Sequence, residues 1–493
     1  MGNAKKVYDF SLSKTRERLV RVLKSRKEST VADLVAATGL PTFQVQETIK
    51  VVLDEYQGQL KATESGELLY TFPKGMKSRK RGLGPKLRAA AAAGLRFLGR
   101  ASAFLFKVWI MVMLVGYFIL FLALLLLALF ASVAVSVASR DDGRQRSSSR
   151  GMGFGGFYLM TRLFELFIQI WFFAGARRSA GEKGRPLYKS VFAYVFGEGS
   201  PFSLRQERSE GEKLRVISFL RGRKGVISLE ELAALTGKSL ERANRLINAY
   251  LLEFEGEPAV TPEGTVVFLF PDLLRTKTGS LRQDHSSPAS GFEELVPYNA
   301  NKPSTNRWIT FFNGFNLAFA GYFLYFSLLP PTLQDPLAFL YLTIGRLIAG
   351  LGAEPLPLML AVLGAVPLAF SLLFYAITLL RRSWVRGLNE EIKEENLRRS
   401  LYREILAHPE GIDPQSVRST GSLDAPRDRE PLIKRSMAEL AAEVQAEVDQ
   451  IGEGRFVYRF KELERRMKDL EAYREGIDLA RFDVGKTVFD SGQ

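Results

Sequence analysis

Between Lys107 and Ser139 the chain runs KVWIMVMLVGYFILFLALLLLALFASVAVSVAS, 33 residues with no charge after Lys107. As a helix this run is about 50 Å long at about 1.5 Å per residue, against about 30 Å of bilayer hydrocarbon. A charge-free stretch of that length selects a bilayer over a soluble core. It predicts either one long tilted helix that protrudes from the membrane or a tight hairpin broken near its middle.

Further apolar segments follow. Residues 155–175 (GGFYLMTRLFELFIQIWFFAG) are apolar except for Arg162 and Glu165, three apart and able to face each other on a helix. The segment either spans, hiding the two as an intramembrane ion pair, or lies in the interface with both turned to headgroups. Trp308–Leu329 and Pro357–Leu380 read as two stronger spans, the latter ending against Arg381 and Arg382 and kinked by Pro367. Between them, 337–352 is short, carries Arg346, and reads as re-entrant, interfacial or a short tilted span. Trp308, Tyr322, Tyr325 and Trp384 suit an aromatic belt.

Basic flanks orient these segments. Phe72–Arg100 holds Lys and Arg but no Asp or Glu; ARRSAGEKGR and RRSWVR follow two of the other segments. The positive-inside rule places all three in the cytoplasm, and with them the N-terminal, central and C-terminal soluble regions. The expected location is a cell inner membrane or plasma membrane, with the chain crossing it several times. Lys74, Lys77, Arg79, Lys80, Arg81, Lys86 and Arg88 form a candidate contact with anionic lipid, each contributing roughly 1 kcal/mol near such a surface. Lys plus Arg number 68 against 53 Asp plus Glu, a net charge of +15. The chain has no cysteine, which removes disulfides, thiolate nucleophiles and cysteine metal sites. The opening MGNAKKVYDF lacks a secretory apolar stretch, and Lys6 stands where myristoylation wants Ser or Thr.

The soluble parts repeat. Shifted by 198 positions, Leu34–Pro73 lies over Leu232–Pro271 without a gap: LVAATG falls on LAALTG, and GELLYTFP on GTVVFLFP. Ile49, Leu53, Glu55 and Gly58 fall on Ile247, Leu251, Glu253 and Gly256. Each copy predicts an amphipathic helix (TRERLVRVLK, GEKLRVISFLR), a short basic turn, and a second helix opened by the capping boxes Thr30–Asp33 and Ser228–Glu231. Gly39 and Gly237 stop that helix. A third helix, capped by Thr42 or Ser239, leads into a hairpin whose aromatics, Tyr70 and Phe72 or Phe268 and Phe270, close the core.

Three helices and a two-stranded hairpin resemble the winged-helix family over about 14–73 and 210–271. A divergent third copy is expected in NLRRSLYREILAHPEGIDPQSV and IKRSMAELAAEVQAEVDQIGEGRFVYRF, interrupted by RSTGSLDAPRDREP. KELERRMKDLEAYREG then predicts a charged helix, solvated or packed on another subunit. The fold class expected is therefore mixed: a polytopic α-helical membrane protein with repeated winged-helix α+β cytoplasmic modules. Its parts are a first module at 1–73, a basic linker at 74–100, membrane segments at 101–180, a second module at 203–272, a flexible linker at 273–306, membrane helices at 307–382, a charged helical region with the third module at 388–476, and a tail at 477–493.

The resemblance implies that the third helix and the wing meet a partner. In the first copy that helix exposes Gln44, Glu47, Lys50 and Asp54, nearly neutral; in the second, Arg242, Asn244, Arg245 and Asn248, which suit protein or base edges. Glu253, Glu255, Glu257 and Glu263 in the second wing oppose phosphate binding. The expected function is a membrane-anchored scaffold or regulator that binds protein partners or self-associates. The alternatives are a membrane-tethered nucleic-acid-binding regulator and a small-solute transport component. No cofactor, metal or enzymatic activity is expected: His285 and His408 are isolated, and neither a phosphate-cradling loop nor a carboxylate pair is present.

Overall fold

The structure is a computed structural model that describes residues 10–73, 75, 76, 83–138, 186–276, 291–332, 335–414, 417, 429–450 and 456–491. Segment 155–175 with Arg162 and Glu165, the loop before it, and His285 lie outside these residues. In chain order the helices and strands are α1 (Leu12–Leu23), β1 (Glu28–Ser29), α2 (Val31–Thr38), α3 (Thr42–Tyr56), β2 (Gln59–Thr63), β3 (Leu68–Thr71), α4 (Leu83–Met111), α5 (Tyr117–Ala138), α6 (Leu187–Phe196) and α7 (Pro201–Gly222). They continue as β4 (Val226–Ser228), α8 (Leu229–Thr236), α9 (Leu240–Glu253), β5 (Glu257–Val260), β6 (Val266–Leu269), α10 (Pro303–Leu328), α11 (Phe339–Gly350), α12 (Val366–Ala407), α13 (Arg429–Glu443), β7 (Glu447–Gln450), β8 (Phe456–Arg459), α14 (Lys461–Glu475) and β9 (Thr487–Asp490). Two compact units result. Unit 1 gathers Met1–Arg88, Phe202–Val296 and Gly387–Gln493; unit 2 gathers Ala89–Pro201 and Pro297–Arg386.

Unit 1 carries the repeat. β1, α2, α3, β2 and β3 each begin 198 positions before β4, α8, α9, β5 and β6. In both copies the first short strand pairs antiparallel with the last, giving the orders β1-β3-β2 and β4-β6-β5. That first strand falls where the sequence predicts only a basic turn; two or three residues are too few for a period-2 pattern to register. Thr30 caps α2 reciprocally with Asp33, Ser228 accepts from the Glu231 N–H, and Gly39 and Gly237 end their helices with φ of 66° and 75°. One capping expectation is corrected: α3 is preceded by Pro41, and Thr42 is its buried first residue.

The echo of the two hairpins has a steric cause. A Cβ on Gly58 would stand 2.6 Å from the Phe72 ring and 2.4 Å from Leu53; on Gly256, 2.5 Å from the Phe270 ring and 3.0 Å from Leu251. Leucine, glycine and aromatic are thus one contact, repeated. The residue before each glycine, Gln57 or Glu255, takes left-handed backbone at φ 54°. Gln445 does the same at φ 56° after α13, and β7 and β8 begin 190 positions after β5 and β6. An Ile412–Tyr458 bridge supplies the third strand position. The region expected to hold a third copy thus has a helix, a left-handed residue and a hairpin in the same order; most of the interrupting segment, 418–428, lies outside the described residues.

A single cluster of buried apolar side chains runs through all three copies, from Leu19 and Val45 through Val216, Ile247 and Phe270 to Leu401, Met437 and Phe460. Two sequence expectations change here. α14 is neither free nor reserved for another subunit, because its Leu470 packs with Val226 and Val267 of the second copy. The 477–493 region is not a loose tail, because β9 adds to the edge of β2, extending the first sheet to β1-β3-β2-β9.

Unit 2 is helical. α4 and α5 are joined without a turn by a π-helical stretch at Val112–Gly116, so the long apolar run is continuous helix rather than a hairpin. A second π stretch, Leu358–Ala365, ends two residues before Pro367, and the helix continues through the proline. A wider register there accommodates a residue with no N–H to donate. Backbones come close at Gly364, in the same stretch: a Cβ there would stand 3.1 Å from Leu324 Cα on α10. α12 does not end at Leu380 but runs to Ala407. α6, which the sequence reading does not separate from its surroundings, packs Val191, Tyr194 and Val195 with Ile309, Phe312 and Phe374.

Among the described residues, two helices are long and apolar enough to cross a membrane, Phe97–Phe130 and Pro355–Ala407. α10 covers the other expected span, but Asn306, Asn313 and Asn316 make it less apolar. α11 coincides with the expected short segment.

Candidate partner surface

α9 owes its orientation to Ala243, Ile247 and Tyr250, which are buried at helical spacing. The opposite face presents Arg242, Asn244, Arg245 and Asn248, all exposed, with Leu252 beyond them at 82% exposed. Arg245 pairs with Glu241 at 2.5 Å within the helix. On α3, Gln44 is half-buried and Lys50 is exposed and paired with Glu47 at 2.7 Å. Phe43 on the same helix is 48% exposed, an apolar element absent from the sequence-based site. In the second wing Glu253 pairs with Lys213. Burial, then the neighbouring Asp272, pushes the Glu255 carboxyl above its ordinary value. Of the expected lipid contacts, Lys74, Lys77, Arg79, Lys80 and Arg81 lie outside the described residues, while Lys86 and Arg88 fall on α4.

These faces stand on a braced frame. Between the first two copies, Arg18 makes two hydrogen bonds to Glu210 at 3.0 and 2.6 Å, and Arg275 meets Glu67 at 2.6 Å. Asp33, the capping carboxylate of α2, also accepts from Arg221 at 3.2 Å and from the Thr276 hydroxyl at 2.5 Å. On the other side α14 grips the second copy. Arg474 meets Glu231 and donates to Val226 O at 2.8 Å, Arg466 meets Glu230 at 2.9 Å, Arg223 meets Glu471 at 2.7 Å, and the Thr261 hydroxyl bonds Asp469.

A third junction forms where α12 passes α7 and α8. Arg399, fully buried, donates to Leu235 O at 3.2 Å and Thr236 O at 2.7 Å, the carbonyls left open at the end of α8, and to Asn396 at 2.8 Å. Arg208 reaches Glu293 at 2.7 Å and Glu395 at 2.5 Å, and Lys238 bridges Glu212 and Glu395. Burial pushes the Glu395 carboxyl up despite Lys238 and Arg208, and pushes the Arg399 guanidinium down. Glu293 is held low against its burial by the hydrogen bond and charge of Arg208.

Segment 291–296, expected to be part of a flexible linker, is clasped to α12. Asn396 exchanges two hydrogen bonds with the Glu293 backbone at 2.9 and 2.8 Å; Asn389 does the same with Val296 at 2.9 and 3.0 Å. A side-chain amide offers one donor and one acceptor in the spacing of a peptide group, which is why asparagine serves here. No local pattern announces any of this, since each partner is about a hundred residues or more away.

The fold and surfaces define a mostly helical protein in which two repeated helix–hairpin units share one core with a C-terminal helix and hairpin, and in which, among the described residues, two helices are long and apolar enough to cross a membrane. No family model matches the chain, and no solved structure does. A protein of Arabidopsis thaliana described as uncharacterized and chloroplastic is 28% identical over 271 residues, covering 52% of this chain and 48% of the relative. The chain thus spans about half the length of that relative.

Proposed function

We propose that the protein is a membrane-anchored scaffold or regulator whose three winged-helix-like modules act as one platform, binding protein partners or a second copy through the exposed faces of their third helices. One observation supports this reading: the modules share a continuous core and are laced by α14 and β9, while the Arg242–Asn248 face of α9 and, on α3, Phe43 and Lys50 are exposed. A rigid array with free helix faces holds partners at fixed spacing.

Two features support anchoring. In the most apolar window of each long helix only 28% of residues are buried, whereas the core helix of a soluble protein is mostly covered. Leu98, Phe104, Leu105, Leu372, Leu373 and Leu380 face outward. Apolar surface of that extent calls for lipid or protein cover. The multi-pass arrangement with cytoplasmic modules, in an inner or plasma membrane, rests on the basic flanks. The Arabidopsis relative contributes a compartment, the chloroplast, rather than an activity.

The test compares wild type with a chain carrying Arg242→Glu, Asn248→Asp and Leu252→Glu, both extracted gently from native membranes. Wild type is expected in an assembly larger than the 55.2 kDa chain, and the variant is expected to lose it. A wild type that is monomeric and retains no protein would end the scaffold reading.

Nucleic-acid binding remains the second reading, favoured by Arg242, exposed beside Asn244 and Asn248 with no side-chain partner among the described residues. It predicts salt-sensitive duplex binding by the full chain, lost in Arg242→Glu/Arg245→Glu.

A further inference from the structure

The face that α9 turns to solvent holds a stripe, Arg242, Arg245, Ala249 and Leu252, spaced three, four and three so that all four share one side of the helix. Leu252, 82% exposed, is the most exposed large apolar side chain among the described residues. Arg242 has no side-chain partner among those residues, and Arg245 pairs only with Glu241 of its own helix. The stripe is therefore basic at one end and apolar at the other.

A surface of complementary character lies elsewhere in unit 1. Beside the end of α12 and the length of α14 is an open groove of about 520 Å³, floored by the half-buried Leu406 and Met467. Glu464, Lys468, Glu471 and Glu475 rim it, leaving it net negative in a chain of net charge +15. Lys468 is held by Glu464 at 2.6 Å, and Glu471 meets Arg223 and Arg474 at 2.7 and 3.1 Å. Glu475, exposed in the last turn of α14, has no ion pair among the described residues.

Spacing on the two surfaces agrees. Arg245 to Leu252 and Lys468 to Glu475 are both seven residues apart, about 10 Å at about 1.5 Å per residue. Laid antiparallel, the helices set Arg245 beside Glu475, and Leu252 over Met467 and the aliphatic stem of Lys468. Arg242, a turn further along α9, reaches the same carboxylate. The parallel arrangement would instead oppose Arg245 to Lys468 and press Leu252 on Glu475, so charge selects the antiparallel one. We infer that a second copy of this chain docks its α9 in the groove of the first, antiparallel to α14. Because lender and acceptor are different surfaces, every copy offers both. The inference deepens the self-association branch of the platform reading and rests on it.

With no native cysteine, single thiols report the contact directly. Full-length Ala249→Cys and Ala472→Cys, both at exposed positions, are mixed in one population of liposomes and treated with a short bis-maleimide. The mixture is expected to give a covalent dimer that neither variant gives alone. Energy transfer between two labelled populations of the chain then tests the charges. Arg242→Glu or Glu475→Arg should each weaken self-association about tenfold, and the two together in one chain should restore it. A cation in the last turn of α14 suits the helix, so Glu475→Arg leaves the fold intact. Equal dimer from Ala249→Cys alone would mean that α9 meets α9 and overturns the groove assignment. So would a Glu475→Arg chain that associates as wild type does, or a wild type that holds a different protein in place of a copy. Those three results leave the platform reading standing, whereas a wild type that is monomeric and retains no protein ends both.

Discussion

Arg474, near the end of α14, lays its guanidinium against the Glu231 carboxylate in the first turn of α8, with both side chains 4% exposed. The arginine also satisfies Val226 O in β4. One side chain from the C-terminal region therefore closes the sheet, the helix start and a buried charge of the second copy at once. Removing it alone leaves a carboxylate without its counter-charge in a dry site. Arg474→Ala is expected to cost about 3–5 kcal/mol, and Arg474→Met with Glu231→Leu to recover most of that. Arg466→Ala, at a pair whose arginine is 37% exposed, should cost under about 1.5 kcal/mol. Denaturant unfolding of the four proteins measures all three.

β9 covers an edge that would otherwise be open. The Leu60 N–H meets Ser491 Oγ at 2.9 Å, and the Glu64 N–H meets Lys486 O at 2.9 Å. Ending the chain after Asp483 should speed hydrogen exchange at both amides by about tenfold or more. The β7 and β8 amides should be unaffected. The naked edge should also make the truncated protein more prone to aggregate.

Much of unit 1 was legible because its signals are local. Capping residues, stop glycines and apolar spacing lie within a few positions of one another, and all recur at one offset. Thr30, Gly39 and Gly237 do what their positions predict, and Ser228 caps α8, but Glu231, expected to complete the box, pairs with Arg474 instead. What brings the copies together was not legible. Arg208 and Glu395 are 187 positions apart, and Arg474 reads as an ordinary arginine on a charged helix until Glu231 is seen beneath it. β9 was invisible for another reason: TVFD is four residues long, and its place is set by the edge it joins. The polar face of α10 was written in plain spacing, but the apolar average around it hid the asparagines.

Glu293 and Glu395 should respond to pH with opposite signs. Glu293 is held below its ordinary 4.5, so it supports the fold above that range and loses the contribution as pH falls. Glu395 is pushed above 4.5, so its contribution is present at lower pH and is lost as pH rises through its folded value. Relative to wild type, Glu293→Gln is expected to look worse between pH 4 and 7, and Glu395→Gln better. Melting temperatures across that range decide; parallel curves would contradict the assignment.

Gly256→Ala forces a methyl to 2.5 Å from the Phe270 ring and should cost about 1–3 kcal/mol. Gly58→Ala, against Phe72, should match it. Gly211→Ala is the control: within α7 its Cβ meets nothing within 4 Å, and losing a helical glycine should stabilise by about 0.5–1 kcal/mol. Equilibrium unfolding compares the three.

The absence of cysteine makes the central claim directly measurable. Lys50→Cys, Leu252→Cys and Lys434→Cys each place one thiol at an exposed position on a different copy. A membrane-impermeant maleimide is then applied to sealed vesicles of known sidedness. If three modules form one platform on the cytoplasmic face of a membrane, all three thiols react from that side alone, and the protein stays with the membrane through alkaline washing. Reaction of any of the three from the opposite side, or release of the chain into the wash, would contradict the account.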